Sequence, residues 1–422
     1  MRLRGRLADV TERLRESYWL VPGLLALAGF AAAAGLVYVD AALGRGWLAG
    51  LDWFYASRPS GARQVLSAIA GSTITVAGVV FSVTLAATTY ASGQYGPQLL
   101  TNFSRDRGNQ VTLGVFVGTY LYCLVVLRTI RSAEEASADT GGAVREAFVP
   151  DLAVFGAMAL AFASIGMLIY FVHHVTDSIH IDNVVARIGR GLLADVAERG
   201  GAKRSGQAGA ARTPVPTAQD GRPCAARGTG YVRLIDEEGL LRLADRDGLT
   251  IRMLVRPGEF VRRGQAVALV RGGGDEARDR CRDAVTIGRR RSAAQDLSFA
   301  IDELVQIAAR ALSPGVNDPF TACSCVDWLG AAVAAVETAP EPSDTLGSGE
   351  RGRVLIPRRR FADLFDSAFT QLRAYAARDR KTSSHLLRTL ERLAADARSP
   401  DHRRSIEREA DDLRAETAER GT

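Results

Sequence analysis

Between Arg63 and Arg105 the chain carries no charged side chain, a run about twice the roughly 20 residues that a helix needs to cross about 30 Å of hydrocarbon. Water-soluble domains seldom go so far without a charge. Three more apolar stretches, Leu20 to Val39, Val111 to Leu127 and Leu152 to Val172, each approach spanning length. The pattern predicts an α-helical membrane protein with four transmembrane helices, over 20–40, 63–92, 110–128 and 151–172, in a membrane domain of residues 19–175.

The 422 residues leave a charged back half long enough for its own core. Net charge is +6, and Lys203 and Lys381 are the only lysines, so arginine supplies almost all the positive charge. Acidic residues are interspersed and no strand alternates aromatic with basic side chains, so nucleic acid is not an expected partner. Cys123, Cys224, Cys281, Cys323 and Cys325 have neither zinc-site spacing nor the density of a disulfide framework, and read as free thiols in a reducing compartment.

Orientation follows the arginines. A basic leader, residues 1–18, carries Arg2, Arg4, Arg6, Arg13 and Arg15, and the first apolar stretch is too long for a secretory h-region. Arg105 and Arg107 fall between the second and third helices, and Arg187 and Arg190 after the fourth. The loop after the third is acidic, with Glu134, Glu135, Asp139 and Glu146. Both termini are therefore expected on the cytoplasmic side. Trp47, Trp53 and Tyr55 suggest an external loop along the lipid surface.

Beyond the last span a juxtamembrane helix is expected over 176–199, continuous with the fourth span from Phe171 to Arg190. A flexible linker over 200–228 follows, then a small β-rich module at 229–272 and a helical cytoplasmic domain at 290–420. The soluble region is thus α+β with a helical C-terminal part. Residues 338–352 read as an exposed loop, and the last helix, from Arg403, as a surface helix.

Several constellations could carry function. On the second helix Ser67, Gly71, Thr75, Gly78, Ser82, Ala86 and Thr89 recur at steps of four and three, placing small and hydroxyl side chains on one stripe. Close helix packing and the lining of a water-filled path in an oligomer both fit. Gly114 and Gly118 form a GxxxG pair, and Gly156, Ala159, Ala163 and Gly166 share a face. His173, Asp177 and His180 fall at i, i+4 and i+7, with His174 and Asp182 near. They suit either a polar interfacial helix or a metal or pH-sensing site completed by another segment. Pro257 to Val267 is similar to the half-motif of biotinyl and lipoyl domains, but the module has no lysine, so covalent biotin or lipoate is not expected. Ala311 to Ala322 contains Ser313, Pro314, Gly315, Asn317, Asp318 and Pro319. Pro314 and Gly315 stop one helix, and Asp318 caps the next with Pro319 in its first turn. This string is an interhelical turn or a binding loop.

The stretch from Phe81 to Pro97, the Asp106 to Gln110 segment, the Phe171 to His174 segment and above all Ala311 to Ala322 resemble a large bacterial family of predicted membrane proteins catalogued as domain of unknown function 2254. The resemblance covers nearly the whole chain. Where the family string continues with arginine after the proline, this chain has Gln98. The resemblance implies a multi-pass protein of the bacterial inner membrane and supplies no activity.

The sequence contains no Walker loop, HExxH, GxSxG or kinase set. No enzyme activity and no cofactor are expected. The favoured expectation is an oligomeric pore or transport-type protein with a cytoplasmic regulatory domain, with the lipid bilayer and further copies of itself as partners. The alternative is a non-transporting scaffold or signalling protein of the envelope.

Overall fold

The protein was analysed as a computed structural model, which describes residues 18–43, 58–95, 106–131, 148–201, 221–346 and 352–420. The basic leader, the Trp47 to Tyr55 loop, the acidic loop after the third helix, the Gly96 to Gln98 string and most of the expected linker lie outside the described residues. The chain divides into two compact units, one within residues 13–180 and one from Ile181 onward.

The first unit contains α1 (Leu20–Leu43), α2 (Pro59–Tyr95), α3 (Arg107–Thr129) and α4 (Asp151–Ile179). At 1.5 Å per residue α2 is about 55 Å long, well beyond hydrocarbon thickness. The most buried of these spans is α3, and small residues let α1 reach it. A Cβ on Gly29 would stand 2.5 Å from the Gly118 carbonyl oxygen, and one on Gly118 would stand 2.9 Å from the Leu25 oxygen. The GxxxG pair is thus the α1–α3 seam. Polar side chains close the helix ends. Asp40 accepts from the backbone N–H groups of Leu152 and Ala153, satisfying first-turn donors of α4. Arg63 donates to the Ile130 carbonyl just past α3 at 2.9 Å, and Tyr122 donates to the Ala153 carbonyl at 2.8 Å.

The second unit opens with α5 (Ile181–Gly201). The expected continuous helix from Phe171 to Arg190 is in fact two: α4 ends at Ile179 and His180 adopts an extended backbone, φ −61 and ψ 123. Next come β1 (Arg222–Ala225), β2 (Gly230–Ile235), α6 (Glu237–Asp247), β3 (Thr250–Met253), β4 (Phe260–Val261), β5 (Ala266–Arg271), α7 (Asp275–Asp283) and β6 (Val285–Gly288). The helices α8 (Leu297–Ala311) and α9 (Pro319–Thr338) lead to β7 (Thr345–Leu346) and β8 (Arg353–Leu355). The chain ends with α10 (Phe361–Phe365), a π-helical turn, α11 (Gln371–Ala376), α12 (Arg380–Asp396) and α13 (Pro400–Arg420).

One sheet has the order β1-β5-β3-β8-β7 and the other β4-β2-β6. The expected 229–272 module is therefore incomplete on its own. β1 comes from the supposed linker, β6 follows the module, and β7 and β8 return from the supposed 338–352 loop and beyond it, with Ile251 opposite Val354 in parallel register. The two glycine turns of the half-motif are present: Gly258 and Gly264 have φ +90 and +86, where a side chain would be strained.

Among the described residues five helices, not four, are long and apolar enough to span a membrane, the fifth being α9. Its apolarity has another cause in the structure. It packs between α5, α8 and α12, with Ala322, Cys325, Val326, Leu329 and Val333 buried and Trp328 against Gly189. A helix covered on several sides is apolar nearly all round. The last helix is likewise more than a surface rod. Ile406, Ala410 and Leu413 are buried, and Arg373 of α11 reaches its Glu409, Asp412 and Glu416 at 2.8, 3.0 and 2.7 Å.

Ionic contacts join the segments after β6 and β8 to helices of this unit. The side chain of Asp296 is fully buried. It lies 2.6 Å from Arg291 and 3.5 Å from Arg359, and it caps α8 by accepting from Ser298 N–H. Arg291 also reaches Asp302 at 2.5 Å, and Arg358 holds Glu237 through both oxygens.

Candidate functional site

On α2 the buried positions are Ala62, Leu66, Ala70, Thr73, Ala77, Val80 and Thr84, steps of three and four that bury one face. Ser67, Gly71, Thr75, Gly78, Ser82, Ala86 and Thr89 are all exposed. At about 100° per residue the two rows lie on opposite sides of the helix. A Cβ on Gly71 or Gly78 would meet nothing within 4 Å. The stripe therefore packs on nothing among the described residues. Its hydroxyls bond back along the helix: Thr75 to Gly71, Ser82 to Gly78 and Thr89 to Leu85 carbonyls, at 2.8 to 2.9 Å. The small face of α4 behaves similarly. Gly156 meets Tyr122, whereas Ala159, Ala163 and Gly166 are exposed.

The structure does not assemble His173, Asp177 and His180. His173 is exposed and its Nδ1 lies 3.2 Å from the Ile169 carbonyl. The extended backbone at His180 carries that residue off the helix face. Among the described residues no cluster of three or more His, Cys, Asp or Glu could hold a metal.

Its neighbour His174 makes the contact that spacing did not reveal. His174 Nε2 lies 2.7 and 2.8 Å from the two oxygens of Asp106, and Asp106 also caps α3 by accepting from Gly108 N–H at 2.9 Å. Tyr170 stacks on the imidazole with ring centroids 5.2 Å apart, and its hydroxyl is 3.4 Å from Nδ1. Gly108 is required here, because a Cβ would strike His174 and Tyr170. The buried Asn109 adds an Oδ1 with no hydrogen-bond partner among the described residues. An aspartate before a helix start is a readable cap signal, but its long-range histidine is not. Replacing Asp106 with alanine removes both contacts, and thermal unfolding in detergent should show a loss of about 1–2 kcal/mol.

In the Ser313 to Pro319 loop the expected cap is present. Asp318 accepts from Phe320 and Thr321 N–H, both at 3.1 Å. Pro314, Gly315, Val316 and Asn317 are exposed, and Asn317 holds a left-handed φ of 50, a conformation asparagine tolerates better than most residues.

Two further groupings were not legible from spacing. Cys224 of β1 and Cys281 of α7 are buried free thiols that lie beside each other. A cavity of about 290 Å³ opens beside Val333, Glu337, Phe361, Leu393 and Ile406. Its acid is already engaged, since Glu337 accepts from Arg398 and Ser399 N–H and from His402 Nδ1, at 2.8, 3.1 and 2.5 Å. Burial alone would raise the Glu337 carboxyl, but the Ser399, His402 and Arg398 hydrogen bonds outweigh it and hold it below its ordinary range.

Span-length apolar helices with polar contacts gathered at their ends, followed by an α+β unit, fit a multi-pass membrane protein. The chain belongs to the family described as Predicted membrane protein (DUF2254), which matches residues 15–392. It is 32% identical over 361 residues to uncharacterized proteins of Mycobacterium tuberculosis and Mycobacterium bovis, covering 83% of this chain and 67% of each relative. No solved structure matches it.

Proposed function

We propose that α1 to α4 cross the bacterial inner membrane with both termini cytoplasmic, and that several copies assemble with their α2 stripes facing one another around a polar path. The second unit then regulates that path from the cytoplasm. The observation that carries this reading is the outward position of Ser67, Gly71, Thr75, Gly78, Ser82 and Thr89, opposite the buried face of α2. Small residues there allow close approach of another copy, and hydroxyls can replace part of a solute's hydration. The arginine-rich leader supports the orientation. The reading assigns the protein no catalytic chemistry. A second reading has a specific support: the stripe hydroxyls are satisfied by their own helix, which suits a dry contact between copies of a scaffold.

Cysteines placed one at a time at Thr75, Ser82 and Val83 in the reconstituted full chain separate the two. Val83 lies at the depth of Ser82 but about 100° round the helix. Reaction of the first two with a membrane-impermeant thiol reagent, and not of the third, is the expected result. Inert cysteines at Thr75 and Ser82 that form disulfides between copies would replace the path with a dry interface.

A further inference from the structure

We propose that the end of the second unit bearing the Ser313 to Pro319 loop docks on the headgroup surface of an anionic bilayer. Three helices begin at this end. Asp182, in the first turn of α5, lies near Cys325 of α9, and farther along Gly189 of α5 backs Trp328. Cys323 of α9 lies beside Thr382 of α12, and a Cβ on Gly330 would stand 2.7 Å from Thr389 Cγ2. In both pairings residue numbers rise together, so the N-termini of α5, α9 and α12 share one end.

That end is open and mixes apolar rings with charge. Phe320 is 71% exposed, Tyr375 44% and Val316 40%. The Lys381 ammonium lies over the Phe320 ring, and Arg378 and Arg380 are exposed beside it. The acids Asp318 and Asp379 turn inward as helix caps, leaving Asp182 exposed and, farther along α9, Asp327, which His385 engages at 2.7 Å. Aromatic rings amid long basic side chains suit the boundary between headgroups and acyl chains, where rings enter and cations stay at the phosphates.

The covalent path selects lipid as the occupant. Only His180 separates Ile179, the last residue of the span-length α4, from Ile181, the first of α5. One residue extends less than about 4 Å, so α5 follows α4 within that reach of chain, and the rings and cations at its end of the unit match a headgroup surface. The inference rests on the first unit lying in a bilayer and goes beyond any role of α2, so an unreactive Thr75 would not touch it.

The test uses the full chain in phosphatidylcholine–phosphatidylglycerol vesicles containing a lipid with a nitroxide on its headgroup. A V316C variant carries an environment-sensitive fluorophore, the native cysteines being buried. D396C, at the opposite end of α12, is the control. The label at 316 should shift to the blue and lose most of its emission to the nitroxide lipid, while the label at 396 does neither. Adding F320S and K381E should weaken the quenching at 316. Equal emission from the two positions overturns the proposal, as does a blue shift at 316 without quenching, which would mean that protein covers the site.

Discussion

Replacing Asp296 with alanine should destabilise the second unit by about 3–5 kcal/mol, the range for removing one partner of a buried charged pair. Its side chain is fully buried and faces Arg291 and Arg359, while its other role is to cap α8. The substitution removes the counter-ion that the two guanidinium groups share, leaving Arg291 with Asp302 alone, and orphans an N–H at a helix start. Gly258 crowds the same carboxylate, since any Cβ there would strike its oxygens, so a longer acid should not rescue the site. The measurement is denaturant unfolding of the full chain followed by Trp328 emission, with the other tryptophans replaced by phenylalanine. A midpoint shift no larger than that of an exposed change such as Asp396→Ala would mean that the Asp296 contacts contribute little.

The second large effect is expected in the first unit. Gly29→Ala places a methyl group 2.5 Å from the Gly118 carbonyl oxygen, and Gly118→Leu drives a larger side chain into the Leu25 backbone. Neither neighbour can yield as a flexible side chain would, because both are helix backbone. The α1–α3 seam must widen, at a cost of about 1–3 kcal/mol for alanine and more for leucine. Gly166→Ala is the matched control, having nothing within 4 Å of its Cβ, and should unfold in detergent like the parent. If Gly29→Ala and Gly166→Ala have the same melting temperature, close backbone approach does not hold α1 to α3.

How much of this could be read from the sequence depended on whether the signal was local. The cap at Asp318, the turns at Gly258 and Gly264 and the Gly114–Gly118 seam each follow from a residue type at a fixed offset, and each is present. The break at His180 has no such signal, because neither proline nor glycine marks it and flanking residues on both sides are helical. Strand β8 is only Arg353, Val354 and Leu355, too short for an alternating pattern, and its partner lies far back in the chain. The α2 stripe was legible as a face. Which way it turned was not, since small residues suit an inner seam and an outer surface equally, and only the burial of Leu66, Val80 and Thr84 on the opposite side decides it. His174 and Asp106 sit at the ends of different helices, so their meeting depends on how α3 packs on α4.

The parallel register of β3 with β8 also dictates when this protein can complete itself during synthesis. Thr250 is translated long before its neighbour Arg353, and the whole α8–α9 hairpin must emerge in between. Until then one flank of β3 displays open hydrogen-bonding groups, a hazard for any nascent chain still tethered to the ribosome. The strand and helical layers therefore mature as one cooperative body, and a polypeptide cut short before residue 353 should be a substrate for quality-control proteases.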